Sequence, residues 1–160
     1  MRNTLLLAAF AGALSLLFSC DPSNQPSSVD GLEGEWGLVK TESSATGEEA
    51  SPDKNIRFYD PSDPTDGYIK MIVEKDGKRY NVTRYIWAQH SSEYEIRHEM
   101  KWTVKGNRII LDTKEEATFT LSGNSLVIET VTEVELLGII SGSSGKVTMV
   151  DRYEFVRMNG

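Results

Sequence analysis

Runs of alternating apolar and polar residues, cut at short intervals by glycine turns, govern what this chain can fold into. Tyr68–Glu74 and Arg79–Trp87 alternate on either side of Lys75-Asp76-Gly77-Lys78. An Asp-Gly pair so flanked is a strong hairpin signal, because both central residues of a type I′ turn need positive φ. Tyr94–Val104 and Arg108–Asp112 flank Lys105-Gly106-Asn107. Ala117–Leu121 and Leu126–Glu135 flank Ser122-Gly123-Asn124-Ser125, a third hairpin. Upstream, Glu33–Glu42 opens the pattern with Trp36, Leu38 and Lys40 on one face, and Asn55–Tyr59 is a short alternating strand. The last strand spans Lys146–Met158, with Val147, Met149, Tyr153 and Phe155 in phase.

Ser43–Asp53 has no apolar period and reads as a loop, Asp60–Gly67 reads as a rigid acidic turn, and Ala88–Glu95 has room for a single turn. No segment keeps a 3.6-residue apolar period, so no helix is expected. About nine consecutive antiparallel strands must dispose of their edges, and closure removes edges completely. The expectation is therefore an all-β, antiparallel up-and-down barrel of 8–9 strands over residues 32–160, with a two-sheet sandwich as the alternative.

Ahead of this domain lies a different kind of sequence. Leu5–Phe18 is apolar apart from Ser15 and follows the basic Arg2. As a helix it would rise about 21 Å, short of the roughly 30 Å hydrocarbon core of a bilayer. That length suits a signal peptide, assigned to residues 1–19. The single cysteine of the chain follows immediately. Leu17-Phe18-Ser19-Cys20 resembles a lipobox, which implies a lipid on Cys20 and attachment to a membrane through that anchor. One unpaired thiol cannot form an internal disulfide and is a hazard in an oxidising compartment, so its conversion to a thioether is chemically sensible. Residues 20–31, polar and rich in proline and serine, are read as the lipidated cysteine and a flexible tether. The expected location is the cell envelope, as an outer-membrane, periplasmic or surface-facing lipoprotein.

The formal charge of −7 becomes one unit more negative once Arg2 is lost. With no Lys/Arg cluster to displace counterions from phosphates, a nucleic-acid partner is not expected.

Gly34-Glu35-Trp36, at the start of the first strand of a meander, resembles the Gly-x-Trp signature of lipocalins. The wider window Leu32–Val39, together with Lys101–Leu111 and Tyr153–Met158, is similar to the lipocalin-like lipoproteins of Gram-negative bacteria. The resemblance implies that Trp36 plugs the closed end of a barrel beneath an arginine of the last strand, with Arg157 the first candidate and Arg152 the second. Lipocalins usually carry a disulfide, which a single cysteine rules out here.

Candidate chemistry is sparse. His90 and His98 flank Ser91, Ser92, Glu93 and Glu95, but no G-x-S-x-G elbow surrounds either serine and the spacing fits no closed zinc pattern. The acidic turn Asp60–Asp66 lacks calcium-loop spacing, since Pro64 falls where a ligand is needed. Neither a catalytic residue, a metal nor a cofactor is assigned. The residues singled out as candidates to line a cavity are Phe58, Tyr80, Trp87, Trp102, Phe119, Tyr153 and Phe155. Leu136, Leu137, Ile139 and Ile140, joined to Ser141–Gly145, form a candidate lid or contact patch. The expected function is a non-enzymatic binding protein of the envelope, holding a small hydrophobic or amphipathic ligand. The alternative is a filled barrel whose loops meet an envelope protein or a glycan.

Overall fold

The computed structural model describes residues 29–47, 54–63, 69–137 and 144–158. The expected signal peptide, Cys20, most of the tether, and Ile139 and Ile140 of the candidate lid lie outside the described residues. Nine strands follow one another: β1 (Gly34–Gly47), β2 (Asn55–Phe58), β3 (Ile69–Asp76), β4 (Arg79–Ala88), β5 (Glu93–Lys105), β6 (Arg108–Leu111), β7 (Glu116–Ser122), β8 (Ser125–Leu137) and β9 (Ser144–Arg157). No helix occurs among the described residues.

From β3 onward each strand pairs antiparallel with the next, and β9 returns to pair with β1 from Trp36 to Gly47. The sheet therefore closes as a barrel of eight strands, with β2 as one extra strand. Closure excludes the sandwich alternative. The short strand β2 lies on the same edge of β1 as β3 does, further along: Lys40–Ser43 pair with β2, and Gly34–Gly37 pair with β3.

β1 differs from the sequence expectation in two places, at its far end and at mid-strand. The strand runs on through Ser43–Gly47, a stretch expected to be loop, because the long β9 offers it a continuous ladder partner from Asp151 to Val147. A bulge at Val39, where the register shifts between Leu38 and Lys40, then turns Lys40 out of phase with Trp36 and Leu38. Lys40 instead forms ion pairs with Glu154 and Glu42 at 3.1 and 3.3 Å. A bulge adds one residue to one strand, so every side chain beyond it changes face.

Three tight hairpins, each with a glycine at positive φ (Gly77, Gly106 and Gly123), lie at one end of the barrel. The segment Val29–Glu33 is tied to that same end. The core is continuous through the barrel. Trp36, Leu38, Val73, Tyr80, Val82, Val104, Ile109 and Leu126 are essentially inaccessible to solvent. Each such side chain contributes roughly 1.5–3 kcal/mol through burial.

Candidate functional site

The closed end is organised around Trp36. Its indole is completely buried and its Nε1 donates to the Leu32 carbonyl at 3.0 Å. Arg157, the register partner of Trp36 on β9, lies over the ring with its Cζ 4.4 Å from the centroid. Its guanidinium also donates to the carbonyls of Glu33 (2.7 Å) and Gly31. Gly34 has φ +135°, and a Cβ at that position would strike the Arg157 guanidinium. The Gly-x-Trp spacing thus has a local physical cause: glycine leaves room for the arginine that covers the tryptophan two residues on. Arg152 lies elsewhere, paired with Glu154 at 3.3 Å. Tyr80 adds a further tie, its hydroxyl accepting the Val29 N–H at 2.8 Å.

Above this plug, a cavity of about 300 Å³ occupies the barrel toward its other end. Its walls are apolar: Leu38, Ile69, Met71, Met100, Ile109 and Ile128, with Trp102, Tyr153 and Phe155. Arg84, His98, Asp112, Thr113, Glu115 and Thr130 supply its polar groups. Arg84, His98, Asp112 and Glu115 are exposed and mark the mouth. The volume is at the small end of the range for ligand sites, and apolar walls with a few polar groups are the usual composition of such sites.

The register explains why a charge stands on the inner face. Tyr80, Val82 and Arg84 alternate along β4 and face Trp102, Met100 and His98 across β5. A bulge follows between Arg84 and Tyr85. Beyond it, Tyr85 and Trp87 stand on the same face as Lys70, whose ammonium is paired with Glu35 at 2.9 Å and lies 5.5 Å from the Tyr85 ring centroid. Burial raises the pKa of the Tyr153 hydroxyl, helped by Asp151, while the nearby Arg84 charge acts in the opposite direction.

Of the residues singled out from sequence, Trp102, Tyr153 and Phe155 line the cavity. Tyr80 and Phe119 are buried in the core but do not border it. Two placements correct the sequence reading. Phe58 is 72 % exposed on β2, opposite Lys40, because the Val39 bulge puts that register position on the outer face. Trp87 packs edge-on against Tyr94, centroids 5.1 Å apart, away from the cavity. Leu136 and Leu137 continue β8 and pair with Gly145 and Ser144, so the β8–β9 hairpin extends past the last β6–β7 pairing.

The histidines are not brought together. His90 pairs with Glu95 at 3.1 Å in the exposed β4–β5 turn, whereas His98 is at the cavity mouth. Among the described residues, no group of three or more His, Cys, Asp or Glu is placed to hold a metal ion. In the acidic turn, Asp60 Oδ1 accepts from the hydroxyl and N–H of Ser62 at 2.6 and 2.8 Å, which lowers its pKa. Residues 64–67 of that turn lie outside the described residues.

The sequence reading missed Arg84, Asp112 and the Met/Ile/Leu wall, and weighed His98 only for catalysis or a metal. One signal was present: in Tyr80-Asn-Val-Thr-Arg84 the charged residue occupies the phase of two apolar ones. No protein-family model matches the chain, and no curated protein matches it in sequence.

Proposed function

We propose that this chain is a lipid-anchored binding protein of the cell envelope, non-enzymatic, whose barrel holds a small apolar or amphipathic molecule. The observation that carries the binding part is the apolar cavity of about 300 Å³ at the end of the barrel opposite Trp36 and Arg157. The cavity opens to solvent at its mouth, so an apolar ligand part would bury wall surface that is otherwise wetted there.

The anchor and location rest on Leu17-Phe18-Ser19-Cys20 and the apolar run before it. The Gly34, Trp36 and Arg157 arrangement adds support for a lipocalin-like assignment. A tether from Cys20 would meet the described chain at Val29, beside the closed end. The mouth would then lie on the side of the barrel away from the attachment point.

Native mass spectrometry of the full chain, purified gently from its own host, tests the reading. A bound small molecule that leaves on denaturation is the expected result. A clean unliganded mass, with no uptake of a fluorescent fatty acid, would reject it. A second reading is favoured by Ile56 and Phe58, 42 % and 72 % exposed on the outer face of β2. In it, the barrel is a scaffold whose surface, with Ile56 and Phe58 as its apolar part, meets an envelope protein or a glycan.

A further inference from the structure

We infer that the ligand is an amphiphile with a single carboxylate, its head held by Arg84 at the mouth and its apolar part filling the cavity below. This rests on the proposed ligand-binding reading and specifies the chemistry of the same site.

Among the described residues that line the cavity, Arg84 is the only arginine. Its inward direction is imposed by strand alternation with the buried Tyr80 and Val82. Several cations on the outer face are matched within the chain, among them Lys40 with Glu154, Lys70 with Glu35, Arg108 with Glu116 and Arg152 with Glu154, whereas Arg84 is directed inward. Arg84 has no carboxylate within salt-bridge distance among the described residues, although acids outnumber bases in the sequence by seven. A guanidinium offers a planar fork that fits a carboxylate in two parallel hydrogen bonds.

The carboxylates of the mouth have local partners. Asp112 accepts the Thr113 N–H at 3.1 Å, and Glu115 accepts the Thr113 hydroxyl at 3.2 Å. Both still carry charge toward the mouth, so a dianionic head such as a phosphate monoester is disfavoured more strongly than a single carboxylate, which relies on direct pairing with Arg84. On the other side of Arg84, the Tyr153 hydroxyl lies close enough for the two to influence each other electrostatically, and His98 is the register partner across β5. The size of the apolar part follows from volume. At roughly 30 Å³ per group, the share of one water in the liquid, the cavity holds about ten methylene-sized groups.

Three ten-carbon probes with different heads separate the possibilities: decanoate, 1-decanol and decyltrimethylammonium, each titrated into the full chain by calorimetry below its micellar concentration. Decanoate is expected to bind about tenfold more tightly than 1-decanol, the usual worth of one charge-assisted pair. In Arg84→Gln this preference is expected to fall to near unity, and Arg84→Lys should retain part of it. An unchanged preference in Arg84→Gln, loss of both ligands together in that variant, or tightest binding of the ammonium probe would overturn the assignment while leaving the barrel as a binding site. If none of the three probes binds the natural chain, the ligand-binding reading itself fails.

Discussion

At the closed end of the barrel, the polar groups around Trp36 find their partners inside the chain. Arg157 is divided between the Trp36 face and two backbone carbonyls, the Trp36 N–H meets Leu32, and the Tyr80 hydroxyl meets Val29. At the open end, Arg84 and His98 stand exposed above an apolar void without a carboxylate in contact among the described residues. Solvent satisfies those exposed charges, but the apolar wall below them forgoes packing contacts that a filled core would make. On the proposed reading, stability belongs to one end and recognition to the other, and the contrast can be tested by substituting each in turn.

The largest effect belongs to the plug. Trp36→Ala removes a wholly buried indole and leaves Arg157 without its aromatic face, so a loss of about 3–5 kcal/mol is expected. Denaturant unfolding of the full chain, followed by the midpoint, reads this directly. A loss below about 1 kcal/mol would mean that the closed end does not hold the barrel together.

Gly34→Ala comes next, with an expected loss of about 2 kcal/mol from two sources. The backbone is at φ +135°, and the new methyl meets the guanidinium. Removing the guanidinium should relieve the second source but not the first. In an Arg157→Ala background the same glycine substitution should therefore cost less, with a coupling of about 1 kcal/mol in a double-mutant cycle. Strict additivity would show that the glycine serves backbone conformation alone.

How much of this was legible in the sequence depends on the bulges. Asp76-Gly77, Gly106-Asn107 and Gly123-Asn124 mark their hairpins, since turn chemistry is local and needs no knowledge of the fold. Closure itself was expected from the succession of strands. Lys40, Phe58 and Trp87 were read on the wrong face or in the wrong place. The first two follow from the extra residue at Val39, and a bulge leaves no mark in the alternation of a single strand. Trp87 is different: β4 pairs with β3 without a register break, so plain alternation from Tyr80, Val82 and Arg84 puts it on the outer face. The Ser43–Gly47 extension of β1 was invisible because its pairing is supplied by a strand about a hundred residues away, and nonlocal ladders override weak local pattern. The cavity was the least legible feature. Met71, Met100, Ile109 and Ile128 line a void here, yet the same residues at the same spacing would fill a core.

Substitution at the mouth should scarcely change stability. Arg84→Gln and Glu115→Gln alter exposed side chains, and each is expected to move the unfolding free energy by less than about 0.5 kcal/mol. A loss above 1 kcal/mol for Arg84→Gln would show that the arginine is a structural element, and the division between the two ends would fail with it.

The smallest effect concerns the outer face, where Glu42 lies between Lys54 at 2.6 Å and Lys40 at 3.3 Å. The hydrogen bond from Lys54 lowers the Glu42 pKa most, with Lys40 adding to it. A carboxylate whose pKa is lower in the folded state than in the unfolded chain binds its proton more readily once unfolded. Its contribution is therefore present above the ordinary glutamate value, about pH 4.3, and is lost as pH falls through the lower, folded-state value. The pairs are open to solvent, so the change should be slight and should shrink further in 1 M salt. Glu42→Gln should flatten the acid limb of the stability curve without altering the unfolding midpoint appreciably at pH 7. Because Glu42 stands on the outer face, decanoate affinity should be the same in this variant. A change in that affinity would mean that the ladder between β1 and β9 carries charge effects from the outer face to the cavity, and the two ends would no longer be separable by substitution.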